Sequence, residues 1–198
     1  MPYHIDLTGT IIKTPRLTLR PIKDDDAEDV YAYASVPGVG EAAGWRHHGS
    51  IEETKNIIAM FLAEKNVFAI VDNETGHVIG TLGLHQSWAE EEGQFKGLDI
   101  AEVGYVLSKD YWGRGLMTEA VTHVIEYCFE TLGLDLLTVG HFIENNRSRR
   151  VIEKCGFKFF KNDKYAAVQL DKTFDDAKYT LTRDDWMKTA LMRGKKSL

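Results

Sequence analysis

Only two cysteines, Cys128 and Cys155, occur among the 198 residues. Both fall in helix-like stretches and suggest no disulfide framework, so a reducing cytosol is the expected compartment. No apolar run reaches the roughly eighteen residues of a membrane-crossing helix, so no membrane partner is expected. The opening Met1-Pro2-Tyr3-His4-Ile5-Asp6 lacks the basic start and apolar stretch of a signal peptide. Metal-site spacings are also missing. There is no HExxH string and no cysteine–histidine pattern, and the adjacent His47 and His48 are poorly placed to chelate one ion, so no metal is expected. Positive charge is in deficit, with a formal net charge of −6. That argues against a general nucleic-acid binder and suits a cationic amine or basic peptide as partner. No internal repeat or low-complexity tract interrupts the chain. With 43% hydrophobic residues, a chain of this length can bury a sizeable core without metals or disulfides.

Periodicity gives the elements. Residues 10–21 alternate Ile12, Leu17 and Leu19 with polar positions and read as an edge strand. Asp24-Asp25-Asp26 opens a helix to residue 35; a solvated capping cluster is the reading there, rather than a metal site. A glycine-rich loop, 36–49, precedes a second helix, 50–65, whose start Ser50-Ile51-Glu52-Glu53 fits a capping box. Residues 68–71 and 78–86 form a hairpin around 72–76. A strand at 100–108 leads into the principal helix, 115–132, stopped by Gly133. A strand at 136–142, a short helix at 145–155 ended by Gly156, an antiparallel pair at 157–168 and 176–182, and a helix from Asp184 complete the order. Residues 194–198 read as frayed. This mixture gives an α+β fold, an α/β sandwich whose mixed sheet is mostly antiparallel.

The most informative stretch is Tyr111-Trp112-Gly113-Arg114-Gly115-Leu116-Met117-Thr118-Glu119-Ala120. Two glycines bracketing an arginine at a strand-to-helix junction let backbone N–H groups approach an anion, and the helix N-terminus adds about half a positive charge. A pyrophosphate fits. No Walker string exists, and the third glycine of a dinucleotide fingerprint is missing. Downstream stands Glu144-Asn145-Asn146-Arg147-Ser148-Arg149-Arg150-Val151-Ile152-Glu153-Lys154-Cys155-Gly156-Phe157. Together these strings resemble the GNAT superfamily of acetyl-CoA-dependent N-acetyltransferases. Within it they are similar to the RimJ/RimL-type ribosomal-protein N-terminal acetyltransferases. Thr14-Pro15-Arg16-Leu17-Thr18-Leu19-Arg20-Pro21 and Tyr179-Thr180-Leu181-Thr182-Arg183-Asp184-Asp185-Trp186 are similar to that branch as well. The resemblance implies one N-acetyltransferase domain over 1–198, with its core at about 10–190.

It further implies a GNAT-like sheet, flanked by helices, that splays between the fourth and fifth strands of this reading (100–108 and 136–142) to admit the pantetheine arm of CoA. Gly104 is a place for a bulge that would cause the splay. Acetyl-CoA is then the cosubstrate. Its arm would pair with the backbone of Val106 and Leu107 like an added strand and bond Asn145. Its phosphates would meet the Trp112, Gly113, Arg114, Gly115, Met117 and Thr118 turn. The superfamily turn usually reads [QR]-x-x-G-x-[GA]; here Trp112 and Met117 hold its first and last positions. Methionine there would press on the pantetheine or pyrophosphate.

Acyl transfer to an amine requires removing a proton from an ammonium, donors for an oxyanion, and a proton for the departing thiolate. Glu102, a carboxylate in an apolar strand with a glutamate-x-glycine-tyrosine pattern, is the expected base; a solvent-facing position is its plain alternative. Ser148, matching the branch's Asn-x-x-Ser, is the expected acid, or else a helix cap. Tyr105 and Tyr165 are alternative donors or packing aromatics. Arg147, Arg149 and Arg150 would meet the 3′-phosphate or form a solvated helix face. Glu90-Glu91-Glu92 beside Trp88, and Trp45-Arg46-His47-His48, border the acceptor side in relatives. Cys155 is packing, not nucleophile. The expected reaction is direct attack by an amine acceptor, a protein α-amine such as a ribosomal protein N-terminus. A small amine (polyamine, amino acid or aminoglycoside) and a non-catalytic CoA-binding module are the rivals. The oligomeric state stays open, a homodimer included.

Overall fold

The structure, a computed structural model, describes residues 5–194. Its frame is one eight-stranded sheet in the order β1-β2-β3-β4-β5-β6-β8-β7. The strands are β1 (Ile12–Lys13), β2 (Leu17–Pro21), β3 (Val67–Asp72), β4 (Val78–His85), β5 (Ile100–Leu107), β6 (Leu136–Phe142), β7 (Lys158–Ala167) and β8 (Lys172–Thr182). The helices are α1 (Ala27–Ala34), α2 (Ile51–Glu64), α3 (Leu116–Glu126), α4 (Asn146–Lys154) and α5 (Arg183–Gly194). The strand expected at 10–21 is two strands. Thr14, ahead of Pro15, closes a tight turn, its Oγ1 accepting from the Leu17 N–H at 2.9 Å, and β1 folds back on β2. The fourth and fifth strands of the sequence reading are thus β5 and β6. The fraying expected at 194–198 lies outside the described residues, apart from Gly194 at the end of α5.

Helix starts follow local chemistry. Asp26, ahead of α1, is buried; it accepts from the Lys23 N–H and takes a two-pronged bond from Arg20 at 2.8 and 2.7 Å. Ser50 caps α2 by accepting the Glu53 N–H at 3.2 Å, and the Glu53 carboxylate turns back to the Gly49 N–H rather than to that of Ser50. The helix α3 runs on through a π turn, Tyr127–Thr131, before Gly133 turns the chain with φ 72°.

Alternation along the central strands divides the molecule. Leu82, Leu84, Val103 and Leu107 face α3, in the larger core with Val121, Val124 and Ile125. Ala69 and Val78, with Val106 at its edge, face α1 and α2 in a second core with Val30, Tyr33 and Ile58. Between these layers β5 and β6 pair, in parallel, only from Ile100↔Leu136 to Glu102↔Thr138. Beyond that level β5 stays with β4 to Leu107, and β6 stays with β8 to Phe142. Two twisted half-sheets that keep their outer partners separate along the inner edge. Gly104 is not a bulge: it pairs in regular register with Gly83.

Candidate active site

A cavity of about 860 Å³ runs through this gap. At one end is the turn before α3. Gly113 and Gly115 have φ of 78° and 76°, a conformation that glycine adopts without strain, and among the described residues no side chain caps α3. The first N–H groups of the helix thus remain available, as an anion site requires. The turn is braced by residues near the other end of the sequence. Arg16 donates from Nη1 to the Arg114 carbonyl at 3.0 Å and from Nε to Glu119 at 2.7 Å, and Thr14 Oγ1 donates to Glu119 at 2.6 Å. Burial alone would raise the Glu119 pKa, but the bonds from Thr14 and Arg16 bring it below its ordinary value. The negative charge behind the turn is therefore already matched.

Side chains of the turn take roles that the sequence does not disclose. Arg114 lies over the Tyr111 ring at 5.0 Å and is not among the residues lining the cavity. Trp112 donates from Nε1 to the Leu107 carbonyl at 2.8 Å and carries the Arg147 guanidinium 3.9 Å above its ring. Met117 is buried against the main core while bordering the cavity, so its bulk is largely absorbed by packing. Thr118 also lines the cavity, and its carbonyl accepts the Thr122 hydroxyl.

In the gap itself, the Ser108 N–H bonds Ile79, in the register that pairs Val106 with Thr81. Antiparallel alternation then turns the backbone groups of Val106 toward β4 and those of Tyr105 and Leu107 toward the gap. The open edge is therefore offered by Tyr105 and the Leu107 N–H, the Leu107 carbonyl being taken by Trp112, while Val106 faces the cavity by its side chain. Across the gap, Ser148 in the first turn of α4 sits 2.8 Å, Oγ to OH, from Tyr105. Burial pushes the Tyr105 phenol well above its ordinary pKa. Asn145 caps α4 by accepting the Ser148 N–H at 3.2 Å and donates to the Ala42 carbonyl at 3.2 Å. An amide has two donors and two lone pairs, so capacity remains for a ligand. Arg150 lines the cavity, while Arg149 pairs with Glu153 on the surface.

At the far end, on the α1–α2 face, is Glu102. Burial holds its carboxyl above the usual carboxylate range; Lys178 and the Trp88 backbone N–H pull it back, and Asp176 adds to the rise. Lys178 and Asp176 form a buried ion pair at 2.8 Å, and both line the cavity. His85 lies directly across the strand pair from Glu102. Sequence reasoning missed these three. The available signals were two charges on one face of a strand, and a histidine two residues past Gly83. Tyr165 packs on Phe142 and over Gly44. The acidic 90–92 segment is partly neutralised, Glu92 pairing with Lys161 at 2.6 Å. In the loop before α2, His47 pairs with Glu41 and His48 bonds Thr54, so the two imidazoles serve separate partners. Among the described residues, no group of three or more His, Cys, Asp or Glu is placed to hold a metal, and no helix is long and apolar enough to cross a membrane.

The sequence matches the family described as Acetyltransferase (GNAT) domain over residues 16–158. It is 33% identical over 153 residues to the Bacillus subtilis protein named Uncharacterized N-acetyltransferase YoaA, spanning 75% of this chain and 82% of that one. The fold superposes on an acetyltransferase (GNAT family) from Bacillus anthracis with a TM-score of 0.75 at 22% identity, over 88% of this chain and 99% of the other. It also superposes on the ribosomal-protein-S5-alanine acetyltransferase of Vibrio fischeri, with a TM-score of 0.71 at 21% identity over 90% and 99%. GNAT acetyltransferases use acetyl-CoA. The glycine turn, the parted strands and these matches agree: the chain belongs to the GNAT family of N-acetyltransferases.

Proposed function

We propose that the enzyme acetylates a primary amine by direct attack, and that the acceptor is a protein α-amine such as the N-terminus of a ribosomal protein. The observation that carries the reading is the continuous cavity from the Gly113–Thr118 turn, past Ser148 and Tyr105, to Glu102. The branch-like strings at both ends of the sequence, and the fold shared with the Vibrio fischeri enzyme, support the choice of acceptor. Acetyl-CoA, when bound, supplies the acetyl group as a thioester. The N–H groups at the start of α3 bind its diphosphate, and the open edge at Tyr105 and the Leu107 N–H orients its arm, the Leu107 carbonyl being held by Trp112. Glu102 takes a proton from the acceptor ammonium, favoured by a pKa raised toward that of its task. The Ser148–Tyr105 pair holds a proton for the departing sulfur.

Thiol release from acetyl-CoA, measured with basic peptides and small amines, tests the acceptor. Peptides with free α-amines are expected to outpace polyamines in kcat/KM. A preference for a polyamine or aminoglycoside would replace the proposed acceptor. CoA, but not ATP or NAD, is expected to raise Tm.

A further inference from the structure

We propose that His85 is a further catalytic residue of the acetyl transfer, contacting the acceptor nitrogen beside Glu102 and taking the second of the two protons that nitrogen must lose. The assignment rests on the acetyl transfer to an amine argued above. Its grounds are geometric. His85 and Glu102 are cross-strand partners on the α1–α2 face, with Cβ atoms about 5 Å apart in such a pair. The ring does not stand upright; it leans over the glycines of the next pair on the same face, Gly83 and Gly104. A Cβ at Gly83 would collide with His85 Nε2, and one at Gly104 would lie 3.1 Å from Cδ2. Two facing strands thus both omit a side chain where the imidazole lies. That level is two residues beyond Glu102↔Thr138, where β5 and β6 part. The ring borders the cavity, and among the described residues neither of its nitrogens has a hydrogen-bond partner. A half-buried imidazole that packing leaves unpaired is poised to bond a ligand.

Burial lowers the His85 pKa, which keeps the ring in its neutral, proton-accepting form. The charged groups facing it are Glu102 across the pair and Glu64 from α2; Asp176 and Lys178 of β8 face Glu102 in turn.

The chemistry needs a second acceptor. Converting an ammonium to an amide removes two protons from nitrogen, and one carboxylate takes only one. Glu102 accepts the first, freeing the lone pair. The N–C bond forms as the C–S bond breaks, its electron pair passing to sulfur, which is protonated from the Ser148–Tyr105 pair. The nitrogen, now bonded to an acyl carbon, is far more acidic than imidazolium and yields its second proton to His85. One of the two protons restores the Ser148–Tyr105 pair and the other leaves to solvent, so a single proton is released per turnover.

His85→Gln and His85→Ala test this with alanyl-alanyl-alanine amide and benzylamine as acceptors. Glutamine accepts a hydrogen bond but not a proton. His85→Gln should therefore keep the amine KM within about twofold while kcat falls about tenfold or more. His85→Ala should lose on both. The KM for acetyl-CoA and the Tm gain on adding CoA should match wild type in each. Wild-type kcat in either variant overturns the assignment while leaving the acetyl transfer intact. A wild-type protein that turns over no amine overturns both. Should the variants lose the Tm gain with CoA, histidine-labelled wild-type protein decides by NMR. Movement of the ring resonance that is missing from the His85→Gln spectrum, when benzylamine is added to the CoA-bound protein, supports contact; that resonance staying in place, whatever His141 does, overturns it.

Discussion

The two ends of the cavity are built from different materials. The end at the α3 turn, where we place the cofactor, is mostly backbone: glycines with positive φ, the uncapped start of α3 and an open strand edge. The other end, where we place the acceptor, is side chains: Glu102 and His85 from adjacent strands, Asp176 and Lys178 from β8, Tyr165 from β7. Backbone donors fix a shape and suit one ligand used throughout a family. Side chains change one at a time, and they set which amine is taken and how its protons move. Substitutions at the acceptor end should therefore alter kcat and amine KM, and those at the cofactor end the KM for acetyl-CoA.

Glu102→Gln is the severest test of that division. It should lower kcat about 100-fold or more at neutral pH, with partial recovery at high pH as free amine accumulates, and leave CoA binding intact. Wild-type kcat/KM should rise with pH as Glu102 deprotonates, later than an ordinary carboxylate would. Stability runs the other way. The folded protein holds this proton more tightly than the unfolded chain, so stability falls as pH rises through the folded pKa of Glu102, and Glu102→Gln should have the higher Tm at pH 8. An equal loss of kcat at every pH would mean a structural role instead.

Ser148→Ala is expected to cost about tenfold in kcat. Tyr105→Phe should cost a similar factor, and the double variant little more than either, because the two hydroxyls share one hydrogen bond. Strictly multiplicative losses would separate them. The smallest effect is expected from Gly115→Ala. A left-handed alanine costs about 1–2 kcal/mol of stability, and only the part relieved by displacing the turn bears on binding, so the KM for acetyl-CoA should rise by about fivefold or less with kcat unchanged. A change confined to amine KM would break the division between the two ends.

The same contrast explains what the sequence disclosed. The glycine turn, α3, α4 and β6 are local in the chain, and their periodicities and caps are visible there. The split between β1 and β2 was legible but passed over: Ile12 and Leu17 lie an odd number of residues apart, so the alternation changes phase at the turn that Thr14 closes ahead of Pro15. Glu102 was noticeable as a carboxylate among apolar neighbours. Its surroundings were not, because His85, Asp176 and Lys178 reach it only through the pairing of β4 with β5 and of β8 with β6. Gly104 is the instructive misreading: a strand glycine suggests a bulge, but here it makes room for a ring from the neighbouring strand.

The brace from Arg16 to Arg114 and Glu119 joins residues about a hundred positions apart along the chain. Contacts of such separation form late when a protein folds, since a long loop must close first. Ligand competence should therefore emerge among the last events of refolding, after the bulk of the sheet has gained protection from hydrogen exchange. A nascent or half-unfolded molecule would leave the cellular pool of coenzyme untouched.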